Sequence, residues 1–306
     1  SVMETGTIAV DDLAGPVDLQ ATVESGQSYC WSRLDGKMYT TDNAAGGQAW
    51  YETVVPPLDG VSDQQAVVRV RQVGNDIEWE STTDAAPILT HLLRLDDDLA
   101  GIYDAAPDEP LVDRAFEQYR GMRLVRDPPF ACLISFICSA QMRVGRIHGM
   151  QQRLAAEYGE QVAFDGRTYQ AFPTPEALAA RTEAELRELS LGYRAPYVQR
   201  TAEMVADGEA DPADAVGRTY EAAREYLTQF VGVGQKVADC VLLFSLGYLE
   251  AVPLDTWIRT AIEEYYPDCE QGGYNATSRA IRERFGGAHA GYVQTYVFHY
   301  LRNGGE

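Results

Sequence analysis

The sequence predicts an α+β protein, with an N-terminal antiparallel β-sheet domain over residues 1–108 and an all-α domain over 109–306. Two observations carry this reading. Up to about residue 105, apolar and β-branched residues alternate or cluster in short runs separated by turn signals. From about Leu111 onward the apolar residues recur at helical spacing instead. A length of 306 residues suits two domains, each able to bury its own core.

In the first part, strands are expected at Thr7–Val10, Val17–Val23, Ser28–Leu34, Lys37–Thr41, Ala66–Val73 and Ile77–Ser81. Asp35-Gly36 and Gly74-Asn75-Asp76 lie between such runs and signal hairpins. One helix is expected over Ala86–Leu99, running into the acidic Asp96–Asp98. In the second part, Leu133, Ile134, Ile137 and Cys138 share a helical face, as do Met150, Leu154, Ala155 and Tyr158. Thr174-Pro175 and Asp211-Pro212 each place a capping residue before a proline suited to the first helical turn.

Composition narrows the setting. The N-terminus lacks the basic and apolar stretches of an export signal, and Val241–Leu249 is about the longest apolar run. A soluble, cytoplasmic, monomeric protein with no membrane partner is expected. The five cysteines form no C-x-x-C pair and the four histidines no ligand-spaced pair, so neither a disulfide framework nor a metal site is expected. The net charge is −21, and Lys37 and Lys236 are the only lysines among 25 basic residues. Such a surface should repel nucleic acid at low salt, and it reads as adaptation to concentrated salt, as in a prokaryotic cell of high internal salt. Against that background, Tyr119–Arg153 holds six arginines and one acid, Asp127. This basic island is a nucleic-acid hint stronger than the global charge, although arginines on helices often form only a solvated face.

Chemistry concentrates in Tyr226–Cys240. Residues of helical pattern lead to Phe230, Gly232 and Gly234 allow a tight hairpin over 230–236, and a new helix presents Val237, Cys240, Val241 and Phe244 on one face. Glycines there let backbone N–H groups approach a phosphate. Lys236 follows the hairpin, and Asp255 stands 19 residues later in Val252-Pro-Leu-Asp255-Thr-Trp-Ile-Arg. Lysine supplies a nucleophilic amine; aspartate supplies a negative charge and also suits a helix cap.

This arrangement resembles the helix–hairpin–helix DNA glycosylase superfamily, and Lys236 marks its bifunctional members. Ser25-Gly-Gln-Ser-Tyr-Cys-Trp31, Ser135–Ile147, Leu191–Ala195 and Ala290–Phe298 narrow the resemblance to the 8-oxoguanine DNA glycosylases. The resemblance implies a TBP-like N-terminal domain and a helical glycosylase domain acting on duplex DNA that contains 8-oxoguanine, in the nucleoid. It gives Gly26 the carbonyl that accepts the lesion's N7 proton, Gln294 the Watson–Crick edge, and Phe298 and Cys240 the two faces of the base. Gln141 would fill the gap left by the flipped base, Tyr193 would wedge the stack, and Arg146 and Arg194 would read the orphaned cytosine. Lys236 would attack C1′ and Asp255 would stabilise the oxocarbenium charge, with no metal or organic cofactor required. Three positions depart from the family pattern: Val231 for proline, Gln141 for asparagine, and Trp257 two residues after the aspartate. Three other readings stay open: a monofunctional alkylpurine glycosylase that activates water, a non-catalytic DNA-binding module, and an acidic protein with no DNA partner, which leaves the Arg120–Arg153 island unexplained.

Overall fold

The computed structural model describes residues 2–40 and 47–305. β1 (Glu4–Ala9) leads into α1 (Leu19–Glu24), followed by β2 (Ser32–Arg33), β3 (Tyr51–Val55), β4 (Ala66–Val73) and β5 (Asp76–Ser81). These strands form one antiparallel sheet in the order β1-β5-β4-β3-β2. Gly74 and Asn75 make the two-residue turn between β4 and β5, where Val73 pairs with Asp76 as the turn chemistry predicts. The sheet packs Tyr51, Val68, Val70 and Ile77 against α1 and against α2 (Ala86–Leu92), whose Ile88, Leu89 and Leu92 are buried.

Helices then follow: α3 (Leu99–Ala105), α4 (Pro110–Gln118), α5 (Pro129–Ile137) and α6 (Val144–Tyr158). A hairpin of β6 (Gln161–Phe164) and β7 (Arg167–Gln170) interrupts them. Beyond it lie α7 (Pro175–Ala179), α8 (Glu183–Glu188), α9 (Ala195–Ala206), α10 (Tyr220–Leu227), α11 (Gln235–Phe244), α12 (Thr256–Tyr265), α13 (Tyr274–Arg284) and α14 (Ala290–Arg302). Leu133, Ile134, Ile137 and Cys138 are buried as their spacing implies, and the Thr174 and Asp211 side chains cap the turns that follow them. Among the described residues no helix is long and apolar enough to cross a membrane. The five cysteines are free.

Several local expectations fail for identifiable reasons. Residues 17–23 are mostly helix: the Asp18 carboxylate accepts the Ala21 N–H and starts α1, whose Leu19 and Val23 sink into the core. Ser28–Leu34 yields only the two-residue β2, because side-chain hydrogen bonds rather than a ladder hold Ser28–Trp31. Residues 37–40 form turns, and Thr41 lies outside the described residues. Asp35-Gly36 is therefore a turn without a hairpin, and β2 pairs with β3, a strand with no sequence signal recognised. The expected helix at 86–99 breaks at Leu93, and Arg94 adopts a positive φ of 50°. The β6–β7 hairpin was also hidden, although Asp165 and Gly166 both adopt the positive φ of a two-residue hairpin turn. It returns to the sheet, with the Arg69 guanidinium 4.7 Å over Phe164 and its Nε donating to Tyr169 Oη.

The basic island is partly internal. Arg123 is fully buried and donates to the carbonyls of Ala14, Gly15, Pro16, Arg94 and Asp97. Arg126 donates to His91 and Thr90 and pairs with Asp96, and Arg153 donates to the Leu189 carbonyl. Arg143 and Arg146 remain exposed with no ion pair among the described residues. The local charge therefore overstated the surface available to an anion. Arg123→Ala should destabilise the protein by about 3–5 kcal/mol, as expected when a buried, fully hydrogen-bonded cation is deleted and its acceptors are orphaned. Urea unfolding measures this, and a loss near zero would show that the guanidinium is dispensable.

Candidate active site

The hairpin between α10 and α11 sits against α9. Gly232 has φ +85°, and a Cβ there would lie 2.8 Å from Tyr197 Cβ, so glycine is required both for conformation and for contact. Thr201 Oγ1 donates to the Val231 carbonyl at 2.9 Å, which supports the turn at the position where proline is absent. Gly234 is different. Its backbone is extended and a Cβ would meet nothing within 4 Å, so its contribution is an α11 N-terminus with no capping side chain. That end is open to an anion.

Lys236 lies in the first turn of α11, half-buried, and its Nζ donates to Ser139 Oγ at 3.1 Å. Ser139 in turn donates to the Phe136 carbonyl at 2.7 Å, which fixes the hydroxyl as an acceptor for the amine. Sequence reasoning passed over Ser139, which lies within the quoted Ser135–Ile147 motif but bears no signal of its own. Cys240 follows one turn later on the same helix and is buried; burial pushes its thiol up to about 12, with Lys236 pulling down and Asp239 and Asp255 pushing up. The thiol is thus a neutral, soft surface that senses both Lys236 and Asp255.

Asp255 caps α12, its Oδ1 accepting the Ile258 N–H at 2.7 Å. Its Oδ2 faces the Arg302 guanidinium at 3.5 Å, and that guanidinium lies 4.6 Å over the Trp257 ring. Asp239, on α11 between Lys236 and Cys240, is fully buried beside Arg224 at 3.5 Å and accepts hydrogen bonds from Tyr220 and Tyr274. The Tyr274 hydroxyl also accepts the Leu254 N–H at 3.1 Å. One hydroxyl therefore joins the helix of Lys236 to the segment that ends in Asp255.

Gln294 and Phe298 stand one turn apart on α14, both buried. Gln294 Nε2 donates to Thr295 Oγ1 at 2.7 Å, and Phe298 meets Trp257 edge-on with ring centroids 6.3 Å apart. Gly26 has φ +88° and faces Val144 at the start of α6; a Cβ would come 3.2 Å from Val144 Cγ1. A cleft of about 690 Å³ opens beside it, lined by Ser25, Val144, Tyr119, Arg120, His299 and Arg302. Burial and the nearby Arg302 charge lower the His299 imidazole to about 4, so it is neutral at pH 7. The cleft runs between the sheet domain and α14, with Arg302 linking it to Asp255.

The remaining predicted contacts lie between α5 and α6, in the first turn of α6, and in the turn before α9. Gln141 is exposed with a positive φ of 57°, a strained conformation for a non-glycine residue, and Arg146 is exposed in the first turn of α6. Tyr193 is 54% exposed, which makes it one of the few large rings open to a partner. Arg194 differs from a free reader of a base. It is buried, stacks 4.3 Å over Tyr193 and donates to the Ala140 carbonyl, so in this structure it anchors the Gln141 loop.

Comparison with known proteins identifies the family. Residues 11–133 match the family described as 8-oxoguanine DNA glycosylase, N-terminal domain, and residues 134–286 match the HhH-GPD superfamily base excision DNA repair protein. A Methanothermobacter thermautotrophicus protein named "Probable N-glycosylase/DNA lyase" is 31% identical over 95% of each chain. The N-glycosylase/DNA lyase of Saccharomyces cerevisiae is 35% identical over 81% of this chain and 68% of its own. The Clostridium acetobutylicum 8-oxoguanine glycosylase/lyase, solved with double-stranded DNA containing cytosine opposite 8-oxoguanine, superposes with TM-score 0.81 at 25% identity, covering 99% of this chain and 98% of its own.

Tyr274→Phe removes the Leu254 acceptor and one Asp239 donor together, and should cost about 1–3 kcal/mol in urea unfolding. Asp239→Ala leaves Arg224 buried without its carboxylate and should cost more, about 3–5 kcal/mol. Equal small losses would show that the cluster does not hold the two segments together.

Proposed function

The chain belongs to the 8-oxoguanine DNA glycosylases of the HhH-GPD superfamily, and from that premise we propose that it excises 8-oxoguanine opposite cytosine and then cleaves the abasic strand. The observation that carries this reading is that Cys240 feels the charges of both Lys236 and Asp255, while Asp255 pairs with Arg302 of α14, the helix whose Phe298 meets Trp257. The target nucleotide leaves the stack and enters between Cys240 and Phe298, its Watson–Crick edge on Gln294 and its N7–H on the Gly26 carbonyl. Gln141 and Tyr193 occupy the gap, and Arg146 reads the orphaned cytosine, with Arg194 serving through the Ala140 carbonyl it holds.

The neutral amine of Lys236 forms the bond to C1′ as the bond to N9 breaks, and the base leaves with that electron pair and takes up a proton. Asp255, ionised at a helix N-terminus, faces the oxocarbenium-like charge that develops on the sugar. Opening of the sugar ring yields a protonated imine on Lys236. Loss of a proton from C2′ then expels the 3′ phosphate by β-elimination. Ser139 holds the amine between these steps, since its own proton is committed to Phe136. A monofunctional enzyme would not need an amine here, which weighs against that reading.

Few cations are left for DNA, so the protein is read as working at high salt in the cytoplasm, with contacts by Arg143, Arg146 and the α11 N-terminus. With a slope of about −0.9 per neutralised phosphate, log affinity against log salt should fall at about −3 rather than near −10. A loss between roughly 0.1 and about 1 M KCl far beyond the about thousandfold that this slope implies excludes this adaptation. The principal test incubates the protein with an 8-oxoguanine·cytosine duplex and borohydride. We expect a covalent adduct that disappears in Lys236→Gln. Base release without an adduct would make water the nucleophile, and neither release nor adduct would remove 8-oxoguanine as the substrate.

A further inference from the structure

The lesion-facing loop Gly26–Trp31 runs alongside Arg123–Asp127, and two side chains fasten the pair. Gln27, which is buried, donates through Nε2 to the Arg123 carbonyl at 3.0 Å and accepts the Val125 N–H at 3.1 Å. Farther along, the buried Asp127 carboxylate accepts from Cys30 Sγ at 3.5 Å and from the Ser28 hydroxyl, while Ser28 Oγ accepts the Cys30 N–H at 3.2 Å. No arginine or lysine reaches this carboxylate among the described residues. A buried, unpaired acid is costly to retain, and burial lifts its carboxyl to about 7, so its presence calls for a reason beyond packing.

Two further observations supply that reason. The loop is unevenly packed: Tyr29 and Trp31 are buried in the cores to either side, whereas the half-buried Cys30 borders a cavity of about 770 Å³ shared with Asp127, Phe130 and Phe172. Beside that cavity hydrogen bonds help to hold the loop in register: Thr53, His148 and Tyr39 reach the Cys30, Trp31 and Ser28 carbonyls, while Asp127 takes the side chains. The backbone of Asp127 meanwhile grips the far end of the catalytic helix. Its N–H donates to the Phe244 carbonyl at 2.9 Å, and its carbonyl accepts the Ser245 hydroxyl at 2.6 Å. One residue thus touches the loop that meets the lesion and the helix that carries Lys236 and Cys240.

We propose that Asp127 is a positioning residue that sets the recognition loop against α11, and so governs discrimination of 8-oxoguanine from guanine without touching either base. The proposal rests on the reading of Gly26 given above. It separates two reactions of one site. Excision needs the Gly26 carbonyl at hydrogen-bond distance from N7, whereas lyase action on a preformed abasic site has no base to read.

The test compares wild type, Asp127→Asn and Ser28→Ala, with active fractions set by borohydride trapping on abasic-site DNA. Single-turnover rates are then measured on 8-oxoguanine·cytosine, guanine·cytosine and abasic·cytosine duplexes. In both variants we expect 8-oxoguanine excision to fall by about tenfold or more, as for loss of one charge-assisted hydrogen bond, while the lyase rate stays within about twofold. Excision and lyase rates falling together, or neither falling, would overturn the proposal. Should Asp127→Asn fail to fold, Ser28→Ala alone decides, because it removes the donor and leaves the carboxylate in place. A wild type that cleaves abasic DNA but leaves 8-oxoguanine intact would refute the substrate reading instead.

Discussion

The buried carboxylate of Asp239 is the constraint on which the rest of the helical domain depends. It has no access to water, so the arginine and two tyrosines around it cannot be exchanged for solvent when any one is lost. Those partners come from α10 and α13, and Tyr274 reaches onward to Leu254. The orientation of α11 is fixed in this way, and with it the direction in which Lys236 and Cys240 project. Apolar packing alone would tolerate small rotations of such a helix; a satisfied polar cluster in a dry interior tolerates far fewer.

The site was more legible in the sequence than the sheet was. Lys236, Asp255, Gln294 and Phe298 sit in motifs whose order along the chain survives folding, and each falls on a rigid helix or its cap. The α1 segment was misread because Val17–Val23 mixes β-branched residues with a capping aspartate, and burial on several sides erased the period that would have revealed a helix. The short β2 strand owes its pairing to β3, which lies nearly twenty residues later, so no local pattern announces it. Ser139 and Arg302 were overlooked for another reason. Each acts through a partner that only the fold brings near, Lys236 in one case and Asp255 in the other.

Charge follows the same division between local and tertiary information. Counting arginines from Tyr119 to Arg153 suggested a basic surface, yet Arg123 and Arg126 serve carbonyls inside the protein. An arginine, with five donors in a fixed plane, closes five backbone carbonyls at once at Arg123, more than the three donors of a lysine could serve. A chain with two lysines therefore still spends cations on its interior. Of the exposed remainder, Arg143 and Arg146 follow the strained Gln141, and Tyr193 is exposed as well.

The pairing of Arg302 with Asp255 bears on which cations the site admits. Both oxygens of that carboxylate already have partners, the Ile258 N–H on one side and the guanidinium on the other. A vacant site with an unopposed negative charge would attract any passing cation, including free amines and metal ions. Here the charge is matched within the chain by a flexible, half-exposed arm that a stronger local cation can displace. Compounds built to mimic a positively charged sugar would have to compete with Arg302 for one oxygen. Their affinity should then depend on how readily that arm swings aside, as well as on their own fit to the pocket.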